Sequence, residues 1–556
     1  MWSPKPSWQT LASAHREAAS SQIPSEWKLH SEITDPISQT SSQSVIAIPS
    51  TCGLLTPEEI DITENYSAVT LLKHLASGKF TSVAVTTALC KRAAIAQQLV
   101  SCLTEIFFEE ALERAKYCDD YLAREGKTLG PFHGLPISLK DSFNIIGQKS
   151  TIGYTSFISN PPATGNSPLV TILLSLGCVL YVKTNIPQTM MTADSHNNIF
   201  GRVLNPHNTA LTAGGSSGGE GALSALRGSI LGVGTDIAGS IRIPAFCNGV
   251  VGFKPSTRRI PFSGQTSPGR AGNFGILASA GPICREVGDA EFFMRSVLGY
   301  DCWTLDADVL PLPWRPIRVL ADGEKERVLR IGLFLEGPGF PLHPPLQRIL
   351  QTVVSILEKA GHVVVPLSPL LPETLLADAL QTAMRVFSSD PDRTAIRNIK
   401  ASDEPLVPSI ATTITPELAE YAPTLDGVFE LNVRMKGIKD IVRDAWVRED
   451  LDAVVMPVFQ GVAPGHDKFG APPYTVLANL LDYPACAMPF GKAEKEADKG
   501  FARDVTYVPP YDADAVEGMP GGIQVMGRNL KDEETLEVAR MVFELLKKAE
   551  QLGDLK

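Results

Sequence analysis

Residues 213–255, AGGSSGGEGALSALRGSILGVGTDIAGSIRIPAFCNGVVGFKP, constrain this chain more than any other stretch. Small side chains there let a backbone approach a reacting atom. Ser216 and Ser240 stand in separate glycine-rich turns. Lys140, far upstream in GLPISLKD (134–141), joins them as a residue able to move a proton if it is buried.

Composition narrows the setting. The 556 residues are 44% hydrophobic and 20% charged, as in a soluble globular protein with a large core. A net charge of −11 and a pI of about 5.4 exclude a general nucleic-acid binder, whose footprint would be basic. The nine cysteines are scattered, with no CxxC pair, which argues against structural zinc and against a disulfide framework. The N-terminus lacks the apolar core of a signal peptide, and no apolar run reaches a membrane span. The expected compartment is the cytoplasm, with no membrane partner.

Periodicity predicts helices over 67–75, 82–98, 108–124, 168–176, 346–360 and 532–546. Apolar runs predict strands over 135–139, 178–183, 229–233, 250–254, 329–334, 362–365, 453–456 and 522–526. This alternation predicts an α/β fold, a mixed twisted β-sheet with helices on both faces. Residues 1–62 are polar and Ser/Pro-rich, and read as an arm packed on a catalytic domain of residues 63–556. Residues 367–450 read as a helix-prone insertion or lid, and 492–512 as a charged surface loop.

Amide cleavage needs a nucleophile, a proton acceptor, donors for an oxyanion and an acid for the leaving amine. Ser240 lies in GTDIAGSIR (234–242), just beyond an apolar strand, where successive N–H groups can converge. A plain structural turn is the competing reading. Asp236 and Arg242 flank the turn, and an ion pair between them would brace it. None of the histidines has a triad context; His133, beside Gly134, is a candidate to line the site or simply to pack. Lysine serves as a base only when burial keeps it neutral. Lys140 ends an apolar strand, which fits either a buried base or a solvated strand end, and Asp141 would stabilise its charged form only if both faced the same way. The GGSSGGE loop (214–220) precedes a helix whose N–H groups could hold an anion, but it lacks the lysine of a phosphate loop. Gly215–Gly219 also fits the G-x-S-x-G elbow with Ser217 as nucleophile, a reading that needs a strand before the loop and a histidine context after it.

At these residues the chain resembles the amidase signature family. GLPISLKD is followed in family order by KTNIPQ (183–188), Asn205-Pro206, GGSSGGE, GTDIAGSIR and GFKP (252–255). NLLDYPA (479–485) and GGIQVMGR (521–528) continue the likeness, which spans about 60 to 545. The segments around Trp8, Trp27, Ile62, Asn197 and Arg202 look like the fungal acetamidase branch. The resemblance implies an amidase signature fold and a Ser–cis-Ser–Lys triad. In it Ser240 is the nucleophile, Ser216 the relay and Lys140 the buried base. It also implies oxyanion donors at Ile237, Ala238, Gly239 and Ser240, with Ala238 where the family commonly has glycine. Met190 resembles the residue whose carbonyl receives the substrate amide, with Ser216 beside it. Ser217 becomes a supporting residue, together with Asp236 and Arg242.

These readings describe a serine amidohydrolase, an acylamide amidohydrolase first of all, acting on a small-molecule amide without cofactor or metal. Three rivals differ: acyl transfer from the same acyl-enzyme, a glutaminase-type amidotransferase subunit, and a non-catalytic scaffold of the same fold. The family often dimerises, so a homodimer is admitted without being read from the sequence.

Overall fold

Short apolar runs become the strands of one large sheet. The computed structural model describes residues 6–272, 274–317, 327–413 and 415–552. Its strands are β1 (Leu103–Ile106), β2 (Pro136–Lys140), β3 (Val179–Thr184), β4 (His196–Asn197), β5 (Gly201–Arg202), β6 (Leu231–Asp236) and β7 (Val251–Lys254). They continue with β8 (Ser279–Cys284), β9 (Arg330–Leu333), β10 (Val363–Pro366), β11 (Ala453–Met456), β12 (Ala485–Lys492) and β13 (Pro520–Met526). β4 and β5 form a separate ribbon; the others make an 11-stranded sheet in the order β1-β3-β2-β6-β8-β7-β12-β13-β11-β9-β10.

The sheet is mixed. β3, β2 and β6 run parallel, as do β11, β9 and β10, while the strands from β6 through β8, β7, β12 and β13 to β11 pair antiparallel. The chain is therefore α/β, with a mixed sheet flanked by helices. The helix Gly218–Ala225 packs on β2, β6 and β8, and the helix Asp532–Leu552 packs on β12 and β13. Helix starts follow local chemistry. The Thr81 side chain accepts the Ala84 N–H to open Ser82–Val100, and Ser67 accepts the Thr70 N–H to open Ala68–Ala76.

Every strand expected from the sequence is present, with ends shifted by a few residues. β1, β4, β5, β8 and β12 have no counterpart in that reading. The stretch 492–512, expected as a loop, begins on the last residue of β12 and carries the helix Lys495–Asp498 and the 3-10 turn Lys499–Phe501. Charge alone suggested a loop; Asp498 is buried and accepts a hydrogen bond from Arg348 at 2.6 Å.

The N-terminal residues pack on the sheet's helices. The helix Trp8–Ser21 leads in, the Leu29 N–H donates to Gln98 Oε1 at 2.8 Å, and the Val45 N–H donates to the Pro206 carbonyl at 2.8 Å. The helix Pro57–Glu64, opened by a capping box of Thr56 and Glu59, runs across position 62. Residues 367–450 are mostly helical, ending in Leu425–Arg448. Among the described residues no helix is long and apolar enough to cross a membrane.

Candidate active site

The parallel pairing of β2 with β6 brings their ends together: Ser138 faces Gly232 and Leu139 faces Val233. Lys140 ends β2, and Thr235-Asp236 end β6. Lys140 Nζ lies 2.7 Å from Ser216 Oγ and 2.8 Å from Thr235 Oγ1. Its side chain is fully buried. Burial lowers its pKa to about 7, against the opposing pull of the Asp236 and Glu220 carboxylates.

Asp141 points the other way, as adjacent strand residues do. It pairs with buried Lys183 at 3.3 Å and accepts hydrogen bonds from Thr104 Oγ1 at 2.8 Å and the Ile152 N–H at 2.7 Å. Its charge is thus spent away from Lys140. Glu220 lies deeper, accepting from Ser138 Oγ at 2.6 Å and Thr184 Oγ1 at 2.9 Å, and burial raises its pKa to about 7.

The Gly215–Ser216 peptide is cis, and Ser216 is buried. The N-terminus of the following helix is not free for an anion. Its Gly218 N–H donates to Ser195 Oγ at 3.0 Å and its Gly219 N–H to the Asn185 carbonyl at 3.0 Å. Gly219 has no room for a side chain, since a Cβ there would lie 2.4 Å from Asn185 N and 2.4 Å from the Cys102 carbonyl oxygen.

Ser217 is buried without measurable exposure, and its Oγ sits 3.4 Å from both the N and the carbonyl O of Thr235. Its N–H donates to the Ser240 carbonyl at 3.2 Å, so the two serine turns touch. The elbow reading lacks its strand as well: around 204–212 there are only isolated bridges, Leu204 with Thr212 and Leu211 with Gly465.

The Ser240 turn is braced from below. Arg242 and Asp236 form a fully buried ion pair at 3.0 Å. Arg242 also donates to Gln524 Oε1 at 2.8 Å, Asn479 Oδ1 at 2.7 Å and the Thr475 carbonyl at 2.9 Å. Burial pushes the Asp236 pKa up, but the Arg242 guanidinium outweighs it and holds it at about 2. Asp236 accepts the Gly239 N–H at 2.7 Å and the Ile241 N–H at 3.2 Å. This corrects one expectation: the Gly239 N–H, counted among the oxyanion donors, is turned to Asp236. Ile237, Ala238 and Ser240 are partly exposed in the same turn. Thr475 Oγ1 donates to the Ala238 carbonyl at 2.7 Å and closes the underside.

Met190 follows Thr189, both with left-handed φ, of 57° and 72°. It is half-buried against Ile152, Tyr154, Ile186, Ile399, Val407 and Ile410. His133 does not reach the site. It precedes β2, at the opposite end from Lys140, and its Nδ1 accepts the Leu129 N–H at 3.1 Å. Among the described residues no group of His, Cys, Asp and Glu is placed to hold a metal ion. Sequence reasoning missed Thr235, Glu220, Thr475, Asn479 and Gln524 as supporting residues. Their signal was present, since all but Thr475 lie within the motifs quoted above.

Comparisons with known proteins bear on the family and the fold. The amidase family model matches residues 84–536. An amidase of Gibberella moniliformis is 38% identical over 542 residues, covering 97% of this chain and 99% of that protein. An acetamidase of Emericella nidulans is 38% identical over 556 residues, covering 97% and 98%. Among solved structures, a fatty acid amide hydrolase superposes with a TM-score of 0.88 at 32% identity, covering 97% of this chain and 95% of that one. A peptide amidase from Stenotrophomonas maltophilia shares the fold, with a TM-score of 0.65 at 22% identity over 87% of this chain and 97% of that one.

Proposed function

We propose, from the premise that this chain belongs to the amidase family and is an amide hydrolase, that it cleaves a carboxylic amide through an acyl-enzyme on Ser240. The observation that carries the mechanism is Lys140. It is a lysine without solvent contact, with a pKa near 7, placed 2.7 Å from a serine hydroxyl. Such an amine is neutral often enough at neutral pH to take a proton. In this reading neutral Lys140 accepts the proton of Ser216, which takes that of Ser240 as Ser240 Oγ attacks the carbonyl carbon. The oxyanion meets the N–H groups of Ile237, Ala238 and Ser240. Collapse breaks the C–N bond, and the proton returns through Ser216 to the leaving nitrogen. Water then repeats the path and releases the carboxylate. Ser217, Asp236 and Arg242 hold the two turns in register, and the Met190 carbonyl receives the substrate amide.

The likeness to acetamidases over nearly the whole chain supports a primary acylamide with a short acyl group, releasing ammonia. The test is Ser240→Ala. The expected variant folds normally, releases no ammonia from an amide panel graded by acyl length, and takes no fluorophosphonate label. A turning-over Ser240→Ala enzyme, or a label on Ser217 in the wild type, overturns the mechanism. Adding hydroxylamine to the same assay measures how much of the acyl-enzyme passes to an amine instead of water.

A further inference from the structure

The loop carrying Ser216 is gripped by a side chain that the steps above leave unused. Ser195 is 1% exposed. Its Oγ donates to the Gly214 carbonyl at 2.9 Å and accepts the Gly218 N–H at 3.0 Å. Its own N–H donates to the Gly214 carbonyl at 3.2 Å. One serine thus ties together the two ends of the loop that has Ser216 at its centre.

The grip is tight and is itself anchored. A Cβ on Gly218 would lie 2.4 Å from Ser195 Oγ, and one on Gly215 would lie 2.6 Å from the Thr192 carbonyl oxygen. Next to Ser195, Asp194 Oδ2 accepts Arg202 Nη1 at 2.7 Å and the Asp467 N–H at 2.6 Å. Arg202 Nη2 reaches Asp467 Oδ2 at 2.7 Å. Asp194 and Arg202 are almost wholly buried, at 2% and 7% side-chain exposure, so this ion pair is shielded from the screening that weakens surface pairs.

We propose that Ser195 is a positioning residue for the proton relay. It fixes the direction of Ser216 Oγ between Lys140 and Ser240, and the Arg202–Asp194–Asp467 network holds Ser195 in place. This rests on the relay reading given above. Proton transfer through a hydroxyl depends on alignment, and a displacement of about 1 Å can cost about 100-fold in rate. None of the substrate contacts proposed above is made by Ser195, so its loss is expected to fall on turnover.

The test is Ser195→Ala in the full chain. We expect kcat lower by about 10- to 100-fold with KM changed by less than about 2-fold. Fluorophosphonate labelling of Ser240 slows in step with turnover, and Ser195→Cys, which keeps a weak donor and acceptor, recovers part of both. A folded Ser195→Ala enzyme with wild-type kcat and labelling rate overturns the proposal, with kcat counted per folded, labelled enzyme. Should Ser195→Ala fail to fold, Arg202→Gln loosens the same segment from a distance. A fall in its kcat at unchanged KM supports the proposal, and wild-type kcat overturns it. If Ser240→Ala is inactive while Ser195→Ala is fully active, only the positioning role is lost and the relay stands.

Discussion

Lys140 has to be buried enough to lose its proton yet close enough to other polar atoms to be tolerated there. Removing a charged amine from water is costly, and the group answers by shifting its pKa. Two carboxylates oppose that shift, Asp236 and Glu220. Asp236 is committed to Arg242, whereas Glu220 is met by the hydroxyls of Ser138 and Thr184. In the proposed relay the working form of Lys140 is the neutral one, which dominates above its pKa. So kcat/KM rises with pH through about 7 and then levels off. Glu220→Gln removes a negative charge that favours the protonated amine. Glu220 itself titrates at about 7, so its charge acts on the alkaline side of the limb and is mostly absent at pH 6. The limb's midpoint is therefore expected to move to slightly lower pH, with activity at pH 6 little changed. A pH–rate profile of both enzymes checks this, and a limb that moves upward contradicts the assignment of Lys140 as the base.

The turn from Asp236 to Arg242 shows what a short connection demands of its surroundings. It has few residues of its own to hold it, so it borrows partners from the helix Pro473–Leu481 and from β13 through Thr475, Asn479 and Gln524. Gly239, at φ +126°, admits no side chain, since a Cβ would lie 2.3 Å from Thr475 Oγ1. Arg242→Ala leaves the Asp236 charge buried and unpaired, a loss of about 3–5 kcal/mol. We expect a lower melting temperature and little turnover, with Arg242→Lys intermediate because an ammonium cannot serve all these acceptors at once. Thermal unfolding and ammonia release measure both, and an Arg242→Ala protein as stable as the wild type contradicts the bracing role. The sequence made this turn legible because its motif is contiguous: strand, Asp, small residues, Ser, Arg. It hid the strands that support it. β8 contains Gly281 and Pro282, residues that argue against a central strand. Yet a Cβ at Gly281 would lie 2.2 Å from the Phe253 carbonyl oxygen, so glycine is what lets β7 and β8 approach. β12 bears Pro489 and Gly491 where its pairing to β13 shifts register, and β1 is only four residues long. Strand periodicity has little to act on in such segments.

Residues 367–450 join the segment around Met190 through a contact that no local pattern could disclose. Glu404 accepts the Thr155 N–H at 2.8 Å, Gln188 Nε2 at 2.8 Å and Asn198 Nδ2 at 2.9 Å, from partners 249, 216 and 206 positions earlier. Gln188 completes the join by accepting the Val407 N–H at 3.1 Å. Around this staple Ile399, Val407 and Ile410 meet Ile152, Tyr154 and Ile186, with Met190 packed against them. The wall behind Met190 is therefore built by two segments far apart in sequence, and burial raises the pKa of the carboxyl that fastens them. Removing that carboxyl leaves the buried Thr155 N–H unpaired, at about 1–3 kcal/mol, while Gln188 and Asn198 keep the Pro405 carbonyl as acceptor. Glu404→Ala is expected to lower the melting temperature and loosen the wall while leaving Lys140, Ser216 and Ser240 in place. The readout is therefore selectivity: kcat/KM for longer acyl amides rises relative to that for acetamide, and the rate of Ser240 labelling by a small fluorophosphonate is retained. Equal losses on every amide would instead mean that the staple supports the reacting groups themselves, and an unchanged substrate profile in a destabilised protein would remove the insertion from the substrate wall.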